Sequence, residues 1–125
     1  DRFVFESEVL FPSGQATMTP EGLSAMDQLA QAIVELSHQI PPEIDWALQV
    51  DGHTDVRPIN SPLFPSNWEL STARAASVVK YLISRGVPAK RLVAAGHGEF
   101  SPLETGNDEE SLRKNRRIEL KLTNR

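Results

Sequence analysis

Cysteine is absent from the 125 residues, which removes disulfides, thiolate zinc sites and thiol nucleophiles while leaving the redox compartment open. A long apolar run is missing too, since nothing approaches the roughly 18 to 20 residues a bilayer crossing needs, and Asp1-Arg2-Phe3 does not begin a secretory signal. Nor is there a surplus of basic charge. Thirteen Lys and Arg stand against 17 Asp and Glu, a formal net charge of −4, so no strong field draws a nucleic acid backbone. What is present is ordinary for a globular chain, with 39% hydrophobic and 24% charged residues. Residues 1–125 read as one domain, able to bury roughly two-thirds of the surface its unfolded form exposes. The chain opens in mid-pattern at Phe3-Val4-Phe5, which reads as a fragment cut from something longer.

Hydrophobic periodicity predicts the elements in turn. Arg2 to Phe11 reads as a strand ending at the turn signal Pro12-Ser13-Gly14. Thr19-Pro20-Glu21 then opens a helix to about Ser37, with Thr19 as cap and proline at the first helical position, where its missing N–H costs nothing. Leu23, Met26, Ala30 and Ile33 form its apolar stripe, widened by Leu29, Val34 and Leu36. After Ile40-Pro41-Pro42, a strand from Asp45 to Gly52 alternates Trp46, Leu48 and Val50 with Ala47, Gln49 and Asp51, the pattern of one buried face. It delivers Gly52-His53-Thr54-Asp55 to a loop from Val56 to Pro65 that carries Pro58, Pro62 and Pro65. Ser66 and Glu69 form a capping box for a second helix, which Arg85-Gly86 ends. A third strand follows from Arg91 to Gly98, its glycines signalling close backbone approach. Asp108-Glu109-Glu110 opens a short helix to about Arg113. Ile118, Leu120 and Leu122 then alternate with Arg117, Glu119 and Lys121 in a last strand with one wet face. The order βαβαβαβ predicts an α/β (α+β) two-layer sandwich, a mixed four-stranded sheet covered by helices.

Three constellations carry chemistry. His53, Asp55, His97 and Glu99 stand at two strand ends and supply the donor types of a metal-dependent hydrolase. Histidines between small residues at strand ends are more often packed or hydrogen-bonded, and no helical His-Glu-x-x-His supports the metal. Asn67, Leu70 or Ser71, and Arg74 share one face of the second helix, because seven residues at about 100° each return to within roughly 20°. Asp55 sits just before the loop feeding that helix. An acid and a guanidinium flanking one shallow pocket suit a zwitterion, the carboxylate holding an ammonium and the guanidinium fork a carboxylate. An Asp55–Arg74 salt bridge serves equally well on spacing alone. Arg113, Lys114, Arg116 and Arg117 form a basic run, read as a solvated helix end, with Arg116 a secondary contributor to carboxylate binding. Catalysis finds little support. Ser66, Ser71 and Ser77 lack a Gly-x-Ser-x-Gly elbow, and Asp51 with Asp55 lacks a second wall for a sugar. No catalytic residue, resident metal or cofactor is assigned.

At Gly52-His53-Thr54-Asp55, Asn67-x-x-Leu70-Ser71-x-x-Arg74-Ala75, Gly96-x-Gly98-Glu99 and Asn115-Arg116-Arg117-Ile118-Glu119, the chain resembles the OmpA-like peptidoglycan-binding domain over nearly its whole length. The Pro-containing loop, Asn67-Trp68-Glu69-Leu70-Ser71 and Ser7-Glu8-Val9-Leu10-Phe11-Pro12-Ser13-Gly14 are most similar to the C-terminal domains of MotB-type stator proteins. The resemblance implies a non-catalytic cell-wall anchor that recognises the diaminopimelate of the peptidoglycan stem peptide. Asp55 would hold its ammonium and Arg74 its carboxylate, with Asn67, Leu70, Thr54 and Arg116 at matching positions. It further implies a homodimer and an absent N-terminal membrane helix that pairs with an A-type (MotA-like) channel subunit. The setting would be the periplasmic side of a Gram-negative inner membrane, in a flagellar or Zorya-type antiphage motor. A lipoprotein or barrel parent and a pure protein–protein module stay open. Two departures stand out: His97 occupies a position where an aromatic residue is common, and the Val56 to Pro65 loop is longer than in compact members, raising the question of whether it gates the site.

Overall fold

Four strands and four helices make up a computed structural model that describes residues 2–125. In chain order these are β1 (Arg2–Glu6), α1 (Ser7–Leu10), α2 (Pro20–Ser37), β2 (Trp46–His53), α3 (Asn67–Ser84), β3 (Leu92–Gly96), α4 (Glu109–Asn115) and β4 (Arg117–Asn124), with a 3-10 turn at Ala89–Arg91. The sheet order is β1-β4-β2-β3. β2 and β3 run parallel, joined through α3, whereas β4 lies antiparallel to both β1 and β2. The expected mixed four-stranded sheet with helices on one face is therefore the observed architecture.

Helix starts follow the sequence closely. The Thr19 hydroxyl accepts the Gly22 N–H at 2.9 Å, Pro20 occupies the first helical position, and Met26, Leu29, Ala30 and Ile33 face the core. Leu36, expected to widen that stripe, lies at its flank and stays exposed. Ser66 caps α3 by accepting the Trp68 N–H, and its hydroxyl donates to the Glu69 carboxylate. The first strand is shorter than expected. Leu10 and Phe11 are both fully buried, and neighbours on a strand would point to opposite faces, so the chain leaves β1 at Glu6 and turns through α1 to bring both into one core. That core joins α2, α3 and the inner face of β2 and β4 through Met26, Ile33, Leu48, Val50, Val78, Ile118 and Leu120.

Glycine fixes how closely α3 approaches the sheet. A Cβ on Gly52 would collide with the Ser71 carbonyl, and one on Gly96 with the Thr72 side chain and backbone. The outer sheet face departs from expectation. Register places Asp51 opposite Glu119 and His53 opposite Arg117, and all four are buried rather than wet. Long polar side chains lie over one another there. Arg117 donates to Glu119 and to the carbonyls of Asn115 and Ser101, which compensates the desolvation of its charge.

Candidate functional site

β2 ends at His53, but its direction is held one residue further by the Thr54 N–H, which donates to the Gly98 carbonyl at 2.9 Å. This anchoring presents Asp55 beyond the sheet end, close to the start of α3 and the α4–β4 junction. Asp55 is 5% exposed and fully engaged. Its Oδ1 accepts the Arg57 backbone N–H at 2.9 Å, a local turn contact of the kind aspartate favours. Its Oδ2 accepts from Arg57 Nε at 3.1 Å, Arg57 Nη2 at 2.7 Å and Arg116 Nη1 at 2.7 Å. Burial pushes the carboxyl pKa up, yet the hydrogen bonds from Arg57 and Arg116 outweigh it and hold the group below its ordinary value.

Arg116 is tied on three sides. It donates to Glu8 at 2.9 Å and to Glu109 at 2.8 Å besides Asp55, and these acids, Glu8 foremost, raise its affinity for the proton further. The basic run thus divides. Arg116, assigned a secondary place by its position in that run, meets the acid of the pocket directly, and Arg117 serves the outer sheet face.

Arg74 has a different environment. Asn67, Leu70 and Arg74 share one face of α3, as their spacing predicts, and Ser71 turns instead toward Gly98, whose N–H its hydroxyl accepts at 3.0 Å. Arg74 is 6% exposed, with Nε donating to the Gln15 carbonyl at 2.7 Å and Nη2 to the Pro12 carbonyl at 3.2 Å. Its guanidinium carbon lies 5.1 Å from the centre of the Phe11 ring. Among the described residues no carboxylate pairs with it. The Asp55–Arg74 salt bridge that spacing also allowed is not formed, because Asp55 is taken by Arg57 and Arg116. Burial lowers the Arg74 pKa to about 10, against the opposing charge of Glu8, so the group remains cationic at neutral pH.

These groups line one pocket of about 320 Å³. All six residues singled out from the sequence, Thr54, Asp55, Asn67, Leu70, Arg74 and Arg116, line it. Asn67 has a definite task there. Its amide donates to the Arg57 carbonyl at 3.0 Å and so pins the loop at the pocket rim. Among the further lining residues, Glu8, Phe11 and Arg57 were not assigned to the site from the sequence, and these three make its charged and aromatic contacts. Arg57 carried a legible signal, a lone cation two residues after the acid in a proline-flanked loop. Phe11 and Glu8 come from the far end of the chain, and no spacing rule brings them to α3.

The metal constellation does not assemble. His53 and His97 stack at 4.5 Å with planes 6° apart, which aims their nitrogens alongside one another rather than at a common ion. His97 Nε2 meets Asp51 at 2.7 Å, Asp55 belongs to the pocket, and among the described residues no three or more His, Asp or Glu gather to hold a metal. The imagined carboxylate pair is split likewise, Asp51 serving His97 and Gln49 while Asp55 serves Arg57 and Arg116.

A four-stranded mixed sheet with this acid-and-guanidinium pocket at its end places the chain in a defined class. It belongs to the OmpA family, whose model matches residues 10–116. Outer membrane protein A of Escherichia coli O157:H7 is 43% identical over 105 residues, covering 84% of this chain and 28% of that protein. YtxE of Bacillus subtilis (strain 168) is 38% identical over 118 residues, 94% of this chain and 46% of YtxE. The chain therefore spans less than half the length of these relatives. Among solved structures, a MotB-like protein from Desulfovibrio vulgaris superposes with a TM-score of 0.87 at 28% identity, covering 99% of this chain and 75% of the other. The periplasmic domain of Helicobacter pylori MotB gives 0.84 at 25% identity, covering 98% and 81%. The cell wall anchor of the T6SS from Pseudomonas aeruginosa gives 0.83 at 30% identity, covering 98% and 80%.

Proposed function

We propose that this chain binds peptidoglycan without chemical turnover, recognising the diaminopimelate of the stem peptide, and that it anchors a membrane protein to the cell wall from the periplasmic side. The observation that carries the reading is Arg74, a buried cation that lines the pocket and that no carboxylate pairs with among the described residues. A desolvated guanidinium binds an incoming carboxylate strongly, because that bond replaces little water. In this reading Arg74 takes the ligand carboxylate and Asp55, which lines the same pocket, the ligand ammonium. Thr54 and Leu70 shape the space, Asn67 holds the loop and Arg116 orients Asp55. The similarity to a MotB periplasmic domain and to a T6SS cell wall anchor supports anchoring as the role.

Residues 1–125 are then the C-terminal, wall-binding part of a longer inner-membrane protein, an ion-driven stator B subunit that works as a dimer with a MotA-like channel subunit. No helix among the described residues is long and apolar enough to cross a membrane, so the membrane segment in this scheme belongs to another part of the protein. Co-sedimentation with purified sacculi tests the reading. The wild type pellets, and Arg74→Ala and Asp55→Ala, each verified as folded by circular dichroism, stay in solution with affinity lowered about 10- to 100-fold, the usual worth of a charge-assisted bond. Equal pelleting of all three would move the binding surface elsewhere. A wild type that stays in solution would remove the anchor role.

A further inference from the structure

Asp55 is not an empty acid waiting for a ligand. Both of its oxygens are already in use, one by the Arg57 backbone and the other by two guanidinium groups. A ligand ammonium can reach this carboxylate only by displacing one of them, and the two differ sharply in how firmly they are held. Arg116 is 17% exposed and bound to Glu8 and Glu109 as well. Arg57 is 55% exposed, and among the described residues its only other acidic contact is Glu109 at 3.7 Å.

We propose that the Arg57 side chain is a built-in surrogate for the ligand ammonium, occupying Asp55 in the free protein and yielding it on binding, so that Arg57 sets how strongly the pocket prefers a zwitterion over a plain dicarboxylate. The inference rests on the reading above that Asp55 receives an ammonium. The exchange is cation for cation, and the displaced guanidinium passes into water at the rim, where an exposed charge is well solvated. Only the side chain has to move. Asn67 holds the Arg57 carbonyl, Asp55 Oδ1 holds its N–H, and Pro58 restricts the backbone of Arg57 before it, so the start of the Val56 to Pro65 loop stays in place. The gate is one side chain rather than the loop.

The consequence runs against intuition. Removing a positive residue from the wall of a pocket for a carboxylate-bearing ligand tightens binding, because the ligand ammonium no longer competes. A ligand with carboxylates and no ammonium gains nothing from the same change.

Titration of the chain by two-dimensional NMR with meso-diaminopimelate and with pimelate, which lacks both ammonium groups, separates the effects. Arg57→Gln binds meso-diaminopimelate about two- to fivefold more tightly than wild type, the worth of an exposed ion pair, and binds pimelate within about twofold of wild type. Arg57→Lys, which keeps a cation in reach of Asp55, falls between the two. Binding by Arg57→Gln where the wild type shows none also supports the surrogate. Equal or weaker binding of meso-diaminopimelate by Arg57→Gln, in a wild type that binds it, overturns the surrogate and leaves the pocket reading intact. Absence of binding in both folded proteins overturns the pocket reading, and the surrogate falls with it.

Discussion

Two regions of this molecule bury charge, and they balance it differently. On the outer sheet face each buried ion has an opposite charge against it: Arg117 meets Glu119, Glu119 also meets Arg2 at 3.2 Å, and Asp51, hydrogen-bonded to His97 at 2.7 Å, lies 3.4 Å from Lys121. In the pocket, Asp55 has two cations while Arg74 is paired with no acid among the described residues and depends on backbone carbonyls. Burying an ion costs several kcal/mol unless it is compensated, so a network closed on itself serves the fold and one left open serves a ligand. Conspicuous ionisable residues are thus a poor guide to function on their own. The stacked histidines belong to the closed region, and the less conspicuous Arg74 to the open one.

Breaking the closed network gives the largest effect. Glu119→Ala leaves Arg117 buried without its acid and lowers stability by about 3–5 kcal/mol in urea denaturation, while the folded fraction keeps its affinity for sacculi. A mild loss of stability, or loss of binding, would erase the distinction between the regions. His53 sharpens it through pH. Burial, then Arg117 and His97, drive its pKa down to about 4, so between pH 6.5 and 4 the unfolded chain binds the extra proton and stability falls as pH falls. His53→Phe removes on the order of 2 kcal/mol from that slope, measured as denaturation midpoints across the window. Asp55 acts lower on the scale. Its folded pKa lies below its ordinary value, so its contribution is complete above that value, disappears only as pH falls through the folded pKa, and leaves sacculus binding level from pH 7 to 5. The smallest change is Glu109→Gln. Glu109 is exposed and Arg116 keeps Glu8 and Asp55, so affinity for sacculi moves by less than about twofold.

Much of this was legible along the chain because it is local. Thr19 before Pro20, Ser66 before Asn67 and Asp108 before Glu109 mark helix starts, since a cap satisfies amides one turn away. Asn67, Leu70 and Arg74 share a face because helical spacing requires it. The outer sheet face was misread for the same reason. Alternation in β4 separates Arg117 and Glu119 from Ile118 and Leu120, but it says nothing of whether their neighbours across the sheet will cover them. The strand expected to reach Phe11 was a similar case, decided by a core that requires Leu10 and Phe11 on one side.

The sequence by itself determined the order of elements, the helix caps, the glycines over which α3 crosses the sheet and the residue types around the pocket, all of which depend on contacts within a few residues or on exclusion of a Cβ. Only the tertiary structure decided which charges neutralise one another. Arg116 reaches Glu8 across 108 positions, and Arg74 reaches the Pro12 carbonyl across 62. Charge balance depends on distance in space and on access to water, and both exist only once β1, α3 and β4 have been brought together.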